Sequence, residues 1–494
     1  VAPTTAPRIR RLRSLPLVLV VVPLVVAAVL TFVSVVLSLA VLICTVVGVA
    51  LVRSRRDAAS VLSAFVLVLI ALPSDVVITG LGGAGSPTLI FGLIILVWWG
   101  SSRMVHGAGS ARGRQPVRTV LYVFLGAVVL SYAAAFGRSI PGVEVQGADR
   151  ALLTMLAMGG VALLCADGLD SLERLDTLLR RLVLGASALA SIGILQFATG
   201  VDIAGLYDHL PGVSFNLPVQ FIEQRSHFRR VQGTAAHPIE FGVVLAMVLP
   251  LAVHYALHDR RHRPLVRWLP VALIGVAIPM SISRSAILGL AVGGVVLLAG
   301  WSWRRRARAV VVAAVAVVGM RFLVPGLIGT IVGGFLHAST DPSVVHREQD
   351  LQTVSRFVSE YPILGRGVGT YIPQEFVTAG VPLPSLDNQY YGTLVEMGYV
   401  GLAALLALLA TMFITPLRAR ARAADPETAH LGMALASASA VAIASFFTFD
   451  LFSFSMATGL VFLLLGSTGA LWRLAPSPRQ SDEAAPAASM LIGS

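Results

Sequence analysis

The sequence predicts an all-α, polytopic membrane protein with about 12–14 transmembrane helices. Three observations carry that expectation. The 494-residue chain is 56% hydrophobic and only 13% charged, with a mean hydropathy of +0.83, far outside the range of soluble domains. Charge-bounded apolar runs of near bilayer length recur along it. The connections between those runs alternate between arginine-rich and arginine-poor, as the positive-inside rule requires of a multi-pass protein.

The elements follow in order. Residues 1–14 form a basic segment with Arg8, Arg10, Arg11 and Arg13, ahead of a charge-free run from Ser14 to Val52. That run is too long for a signal-peptide core and long enough for two short helices, near 15–31 and 34–52. Further spans are expected near 58–72, 86–102, 118–137, 151–166, 178–198, 238–257, 268–282, 286–301, 309–324, 390–414, 430–448 and 453–472. This divides the chain into an N-terminal bundle (15–198), a central region (199–414), C-terminal helices (415–474) and a Pro/Ala/Ser-rich tail (475–494) expected to be disordered. Arginine clusters such as Arg53/Arg55/Arg56, Arg260/Arg261/Arg263 and Arg304/Arg305/Arg306 place both termini in the cytoplasm.

The net charge of +12 does not indicate nucleic acid. It is spread over loops on one side, where it serves topology and meets anionic headgroups. All 37 basic residues are arginine. Cys44 and Cys165 each fall in an expected span, so no disulfide framework or thiolate metal site follows and a buried apolar role is expected of both.

Two long loops, 199–237 and 325–389, are expected on the extracytoplasmic side, where the candidate site residues gather. The first ends in Arg229-Arg230-Val-Gln-Gly233, followed by His237-Pro238-Ile-Glu240. Gly233 permits a tight turn and Pro238 suits the first turn of a helix. His237 and Glu240 read either as a capped helix entrance or as groups orienting arginines around an anion. Arg284, alone between two apolar runs, reads as a snorkelling turn arginine or as part of the same anion-binding face.

The second loop carries Arg347 and Arg356 on an amphipathic helix with apolar residues at 351, 354, 357 and 358. The helix stops at Tyr361-Pro362, and Gly365-Arg366-Gly367-Val-Gly369 follows as a turn that lets backbone approach a ligand or another helix. As a nucleotide loop the segment is weak, having no preceding strand and no lysine. Asp387, before Asn388 at the next helix start, reads as an N-cap or as a general base facing arginines.

These stretches together resemble the O-antigen ligase and O-antigen polymerase superfamily. The residues that carry the resemblance are Arg230-x-x-Gly233 with His237-Pro238, Ser283-Arg284-Ser285, Arg347 with the later Pro362-Ile-Leu-Gly365-x-Gly367-x-Gly369, and Asp387-Asn388-x-Tyr390 with Glu396-x-Gly398. The resemblance implies a GT-C-type membrane glycosyltransferase of the bacterial cytoplasmic membrane, with an extracytoplasmic active site. It implies an undecaprenyl-diphosphate-linked glycan as donor and a glycan or lipid acceptor in the bilayer. Other envelope polysaccharide assembly proteins would be further partners. No cofactor and no metal are expected, since arginines can carry the diphosphate charge. Arg230, Arg284 and Arg347 are the expected diphosphate ligands, with Arg356 and Arg366 as helpers, and Asp387, His237 and Glu240 are the catalytic candidates.

One departure matters. Asp387 stands where the ligases place a histidine before the asparagine, which favours a polymerase over a strict ligase. A transporter or flippase of lipid-linked glycans is the rival class, and a non-catalytic scaffold the third. A transporter should carry polar groups near the bilayer midplane of several helices. The expected spans are instead mostly Val, Leu, Ala and Gly at mid-depth.

Overall fold

A computed structural model describes residues 58–106, 115–202, 204–209, 212–215, 224–225, 228–336, 342–373 and 385–475. The basic segment 1–14, the expected spans 15–31 and 34–52, Cys44 and the tail beyond 475 lie outside the described residues. Fourteen α-helices make up almost all of what is described. They are α1 (Ala58–Ala71), α2 (Pro87–His106), α3 (Pro116–Ala135), α4 (Gly142–Gly168), α5 (Leu172–Thr199), α6 (Pro238–His258) and α7 (Pro264–Met280). Then come α8 (Arg284–Ala299), α9 (Trp303–Leu323), α10 (Leu327–Leu336), α11 (Pro342–Glu360), α12 (Gln389–Arg422), α13 (Pro426–Phe446) and α14 (Ser455–Leu474).

Every span expected from residue 58 onward coincides with one of these helices. Seven of them are long and apolar enough to cross a membrane, and an eighth counts if α9 and α10, bent by 111° at their junction, are one broken span. Helices α1, α2, α7 and α8 are apolar but shorter over their apolar stretches. The chain is a multi-pass membrane protein, because only helices satisfy every backbone group within their own segment in hydrocarbon.

The most enclosed spans are α6, α13 and α14. Their neighbours wrap them: α4 packs on α14 and α2, α8 on α13 and α6, and α12 on α13 and α3. Phe65, Phe124, Phe241, Phe446 and Phe462 fill the centre. Helix α9 is the opposite case: past the arginines of its first turns, residues 309–320 are apolar on every side and only Met320 is buried, the pattern of a helix facing lipid.

Helix α12 breaks at Gly398, whose φ of 62° and ψ of −164° are non-helical. A broken helix at membrane depth exposes amides and carbonyls that must find partners. The segment 362–371 supplies them. Tyr399 and Val400 amides donate to the carbonyls of Pro362 and Ile363, while Arg366 and Gly367 amides donate to those of Val395 and Glu396. Gly365, at φ 71°, lies so close that a Cβ would sit 2.3 Å from the Glu396 carbonyl carbon. The glycine-rich turn therefore lets backbone meet backbone in this helix. Gly367 and Gly369 approach Ala135 and the Gly147 carbonyl in the same way.

Two small antiparallel pairs, β1 (Val76–Ile78) with β2 (Val213–Phe215) and β3 (Gln224–Arg225) with β4 (Phe228–Arg229), were not expected. The first ties the loop after α1 to the long segment before α6, and the second lies wholly within that segment. Strands of two or three residues leave no readable period in a sequence.

Candidate functional site

The N-terminal end of α6 anchors the site. His237 is its N-cap, and Nδ1 accepts a hydrogen bond from the Ile239 amide at 3.1 Å. That places the ring proton on Nε2, so the neutral side chain presents a donor rather than a base. Burial, with the adjacent Arg230 charge, pushes its pKa down to about 4 and keeps it neutral at ordinary pH.

Glu240 is fully buried. Oε1 accepts from Ser74 Oγ at 3.0 Å and from the amides of Met456 at 2.8 Å and Ala457 at 3.1 Å. Oε2 accepts from the Ala236 amide at 2.8 Å. Two of these donors belong to the first turn of α14, whose amides have no intrahelical acceptor. The carboxylate thus joins the ends of α6 and α14 to the loop after α1. Its partners are Ser74 and three amides rather than the arginine that the sequence also allowed. The preceding turn is fixed by Gln196, whose Oε1 accepts from the amides of Gln232 and Gly233 at 3.0 and 2.9 Å. Gly233 takes the positive φ expected of it.

The α7–α8 turn lies against this entrance. Arg230, 6% exposed, donates through Nε to the Ser281 carbonyl at 3.3 Å. Ser283 caps α8, accepting from the Ala286 amide at 3.3 Å, so Arg284 is the first residue of that helix rather than a loose turn residue. Its guanidinium donates to the Gly334 carbonyl in α10 at 3.0 Å. Between them Ile282 holds φ 47°, the only non-glycine positive φ among the described residues. A β-branched residue there stores about 1–3 kcal/mol of strain. Its burial with Met320 and Leu327 holds it in place.

The start of α12 forms the other half. Asn388, not Asp387, is the N-cap: its Oδ1 accepts from the amides of Tyr390 at 2.9 Å and Tyr391 at 3.3 Å. The expected capping role for Asp387 therefore moves one residue on. Gln389 accepts from the Phe452 amide at 2.7 Å, and Tyr390 donates to the Ile443 carbonyl at 3.1 Å. These bonds clip the α13–α14 connection onto the α12 entrance and bring Asp450 within electrostatic reach of Asp387. Burial, opposed by the Ser453 hydroxyl and reinforced by Asp387, pushes the Asp450 pKa up to about 6. The same connection reaches His237, whose ring lies 6.2 Å from that of Phe454.

The arginines of the second loop are placed differently. Arg366 pairs with Glu144 at 2.5 Å, a carboxylate that Arg138 also engages at 2.5 Å. Its guanidinium lies 5.1 Å from the Phe357 ring. Arg356 is exposed beside the same ring. Arg347 falls within α11, and its side chain lies outside the described residues. Helix α11 packs Val354 and Phe357 against Leu386 and Val395, as its amphipathic pattern predicts. Leu351, expected on that face, is 57% exposed instead.

Asp450 was not singled out by the sequence, where it sits in the apolar stretch Thr448-Phe-Asp-Leu-Phe452. A lone carboxylate between two spans was its available signal. The other unforeseen participant is Glu144, in the first turn of α4, partnered from 222 residues away in sequence.

The fold and this rim of arginine, histidine and carboxylates define a multi-pass helical membrane protein with a polar site where α6, α8, α12 and α14 begin. Residues 269–406 match the family model described as O-antigen ligase. That stretch, which contains Arg284, Arg347, Arg356, Arg366 and Asp387, is similar to the O-antigen ligase family, a family of glycosyltransferase-type enzymes. Arg230, His237, Glu240 and Asp450 lie outside it. A search of curated proteins gives no match.

Proposed function

We propose that the protein transfers undecaprenyl-diphosphate-linked oligosaccharide on the outer face of the cytoplasmic membrane, joining repeat units as a polymerase rather than acting as a ligase. The observation that carries this reading is the convergence of Arg230, Arg284 and His237 around the α7–α8 turn, with the Asp387–Asp450 pair clipped to the same rim. Arginines and a neutral imidazole donor suit a diphosphate leaving group. A carboxylate beside a second carboxylate suits proton removal from an acceptor hydroxyl, because a like charge raises its proton affinity.

In this scheme an acceptor hydroxyl oxygen attacks the donor's anomeric carbon. The bond from that carbon to the diphosphate oxygen breaks, and undecaprenyl diphosphate leaves with its charge held by Arg230, Arg284 and Arg347. The hydroxyl proton passes to Asp387. Glu240 positions the helix ends, since its oxygens are engaged by four donors. Arg366 orders the α12 kink through Glu144, and Arg356 is a candidate surface contact for the glycan. Charge asymmetry of the loops supports cytoplasmic termini.

The test is reconstitution with a short undecaprenyl-diphosphate oligosaccharide. Products lengthened by whole repeat units with wild type, and lost in both Asp387→Asn and Arg284→Lys, are expected. Lipid binding or translocation without transfer would overturn the reading in favour of a transporter. Asp450→Asn should retain transfer, because Asp387 and not Asp450 takes the hydroxyl proton in this scheme.

A further inference from the structure

The far end of α6 holds a second cluster of polar side chains, unrelated to the transfer site. His254 and His258 stand one helical turn apart, and His430, near the start of α13, meets both. His254 and His430 are 1% and 8% exposed. Their Nδ1 atoms are 3.0 Å apart, and the His258 and His430 ring centroids are separated by 4.6 Å. One ring nitrogen from each of the three lies within 4.8 Å of the others. Along the helix, His254 is about 25 Å from His237.

Helix packing alone does not call for three imidazoles in mutual contact at a buried interface. Two histidines at i and i+4 with a third from a neighbouring helix form the donor set of a three-histidine divalent site. The hydrogen bonds fix where the protons lie. Trp301 Nε1 donates to His430 Nε2 at 2.9 Å, and an indole can only donate. His430 therefore carries its proton on Nδ1 and shares it with His254 Nδ1. His258 Nδ1 lies 3.1 Å from the His254 carbonyl, so it holds its proton there and keeps the lone pair on Nε2. For His430 Nδ1 to ligate an ion, its proton must move to Nε2, and Trp301 must give up its acceptor.

We propose that His254, His258 and His430 bind a borderline divalent transition ion of the Zn2+ class, clamping α6 to α13, with Trp301 as a competing hydrogen-bond donor. Neutral imidazoles without a carboxylate select such an ion over Mg2+ or Ca2+. Arg180, Arg305 and Arg420 act electrostatically on the cluster and oppose a cation. Arg180 is itself countered by Asp176 at 2.7 Å and Asp259 at 2.8 Å. The cluster lies about 25 Å along α6 from His237, and this ion takes no part in the transfer chemistry.

The test uses the full chain without a polyhistidine tag, in lipid nanodiscs, titrated with Co2+, whose tetrahedral complexes absorb strongly in the visible. A saturable band that Zn2+ abolishes is expected. His258→Gln, at a half-buried position, should weaken Co2+ binding at least about tenfold through loss of one ligand. Trp301→Phe should strengthen it about three- to tenfold, the effect of one competing hydrogen bond. Zn2+ should also shift Trp301 emission in wild type, a signal that needs no histidine variant to fold. No saturable band, or a band of equal strength in His258→Gln and His430→Gln, overturns the site. Equal affinity in Trp301→Phe overturns the competition.

Discussion

The two ends of helix α6 use histidine in opposite ways. At the first end His237 caps the helix, with one ring nitrogen taken by a backbone amide and the tautomer thereby fixed. Beside it the Glu240 carboxylate receives three amides and a hydroxyl. At the second end His254 and His430 bond to one another, and each proton position depends on the next ring. A group locked by the backbone can present one constant donor to a substrate. Rings whose protons are set largely by neighbouring side chains can exchange that arrangement for a metal ion. The difference arises because helix N-termini supply amides without acceptors, whereas the far end of α6 meets another helix side by side.

The sharpest way to break this comparison is to remove the locked acceptor. Glu240→Leu leaves four buried donors without a partner and should destabilise the protein by at least about 3 kcal/mol, seen as a large drop in thermal unfolding temperature in detergent. An unchanged melting curve would mean that the end of α6 is not held by this carboxylate. Next in size, His237→Asn keeps a side chain that caps well but removes the Nε2 donor. The variant should fold normally and lose about 100-fold in transfer rate.

A smaller effect follows from acidity. The fold holds the His237 pKa at about 4, below its ordinary 6.5, so its stability contribution is complete above pH 6.5. It is lost as pH falls from 6.5 to about 4. Melting temperature should decline over that window in wild type, and the decline should be shallower in His237→Asn. The smallest expected effect lies at the other end: His430→Phe should leave transfer in the reconstituted assay within about twofold of wild type, given the roughly 25 Å between the ends. A large loss would show that the two ends are coupled.

Much of the candidate site was legible because it sits where spans begin. Arg230, His237, Arg284 and Asp387 stand out as polar residues bordering apolar runs, Gly233 as a turn glycine, and α11 announced itself by its spacing. Asp450 borders two spans as well and was passed over, while Glu144 gave no signal of its pairing, since Arg366 is distant in the chain. The cap at α12 was misplaced by one residue because aspartate and asparagine are both favoured there, and only the backbone turn chooses between them. Leu351 matched the helical period of α11 but lies past the edge of the surface that Leu386 and Val395 provide.

By itself the sequence determined that this is a multi-pass helical protein and where its spans lie, because transfer of apolar side chains into hydrocarbon is a local property of each run. It also determined that arginines and carboxylates border those spans. Which acid meets which arginine was decided by the tertiary structure, as was the use of the glycine-rich turn to complete a broken helix. The same holds for the meeting of His254 and His258 with His430, two of them one turn apart and the third 172 residues beyond His258. Side-chain chemistry is written residue by residue, but hydrogen bonds and ligand sets form at a few ångströms, and packing alone sets those distances.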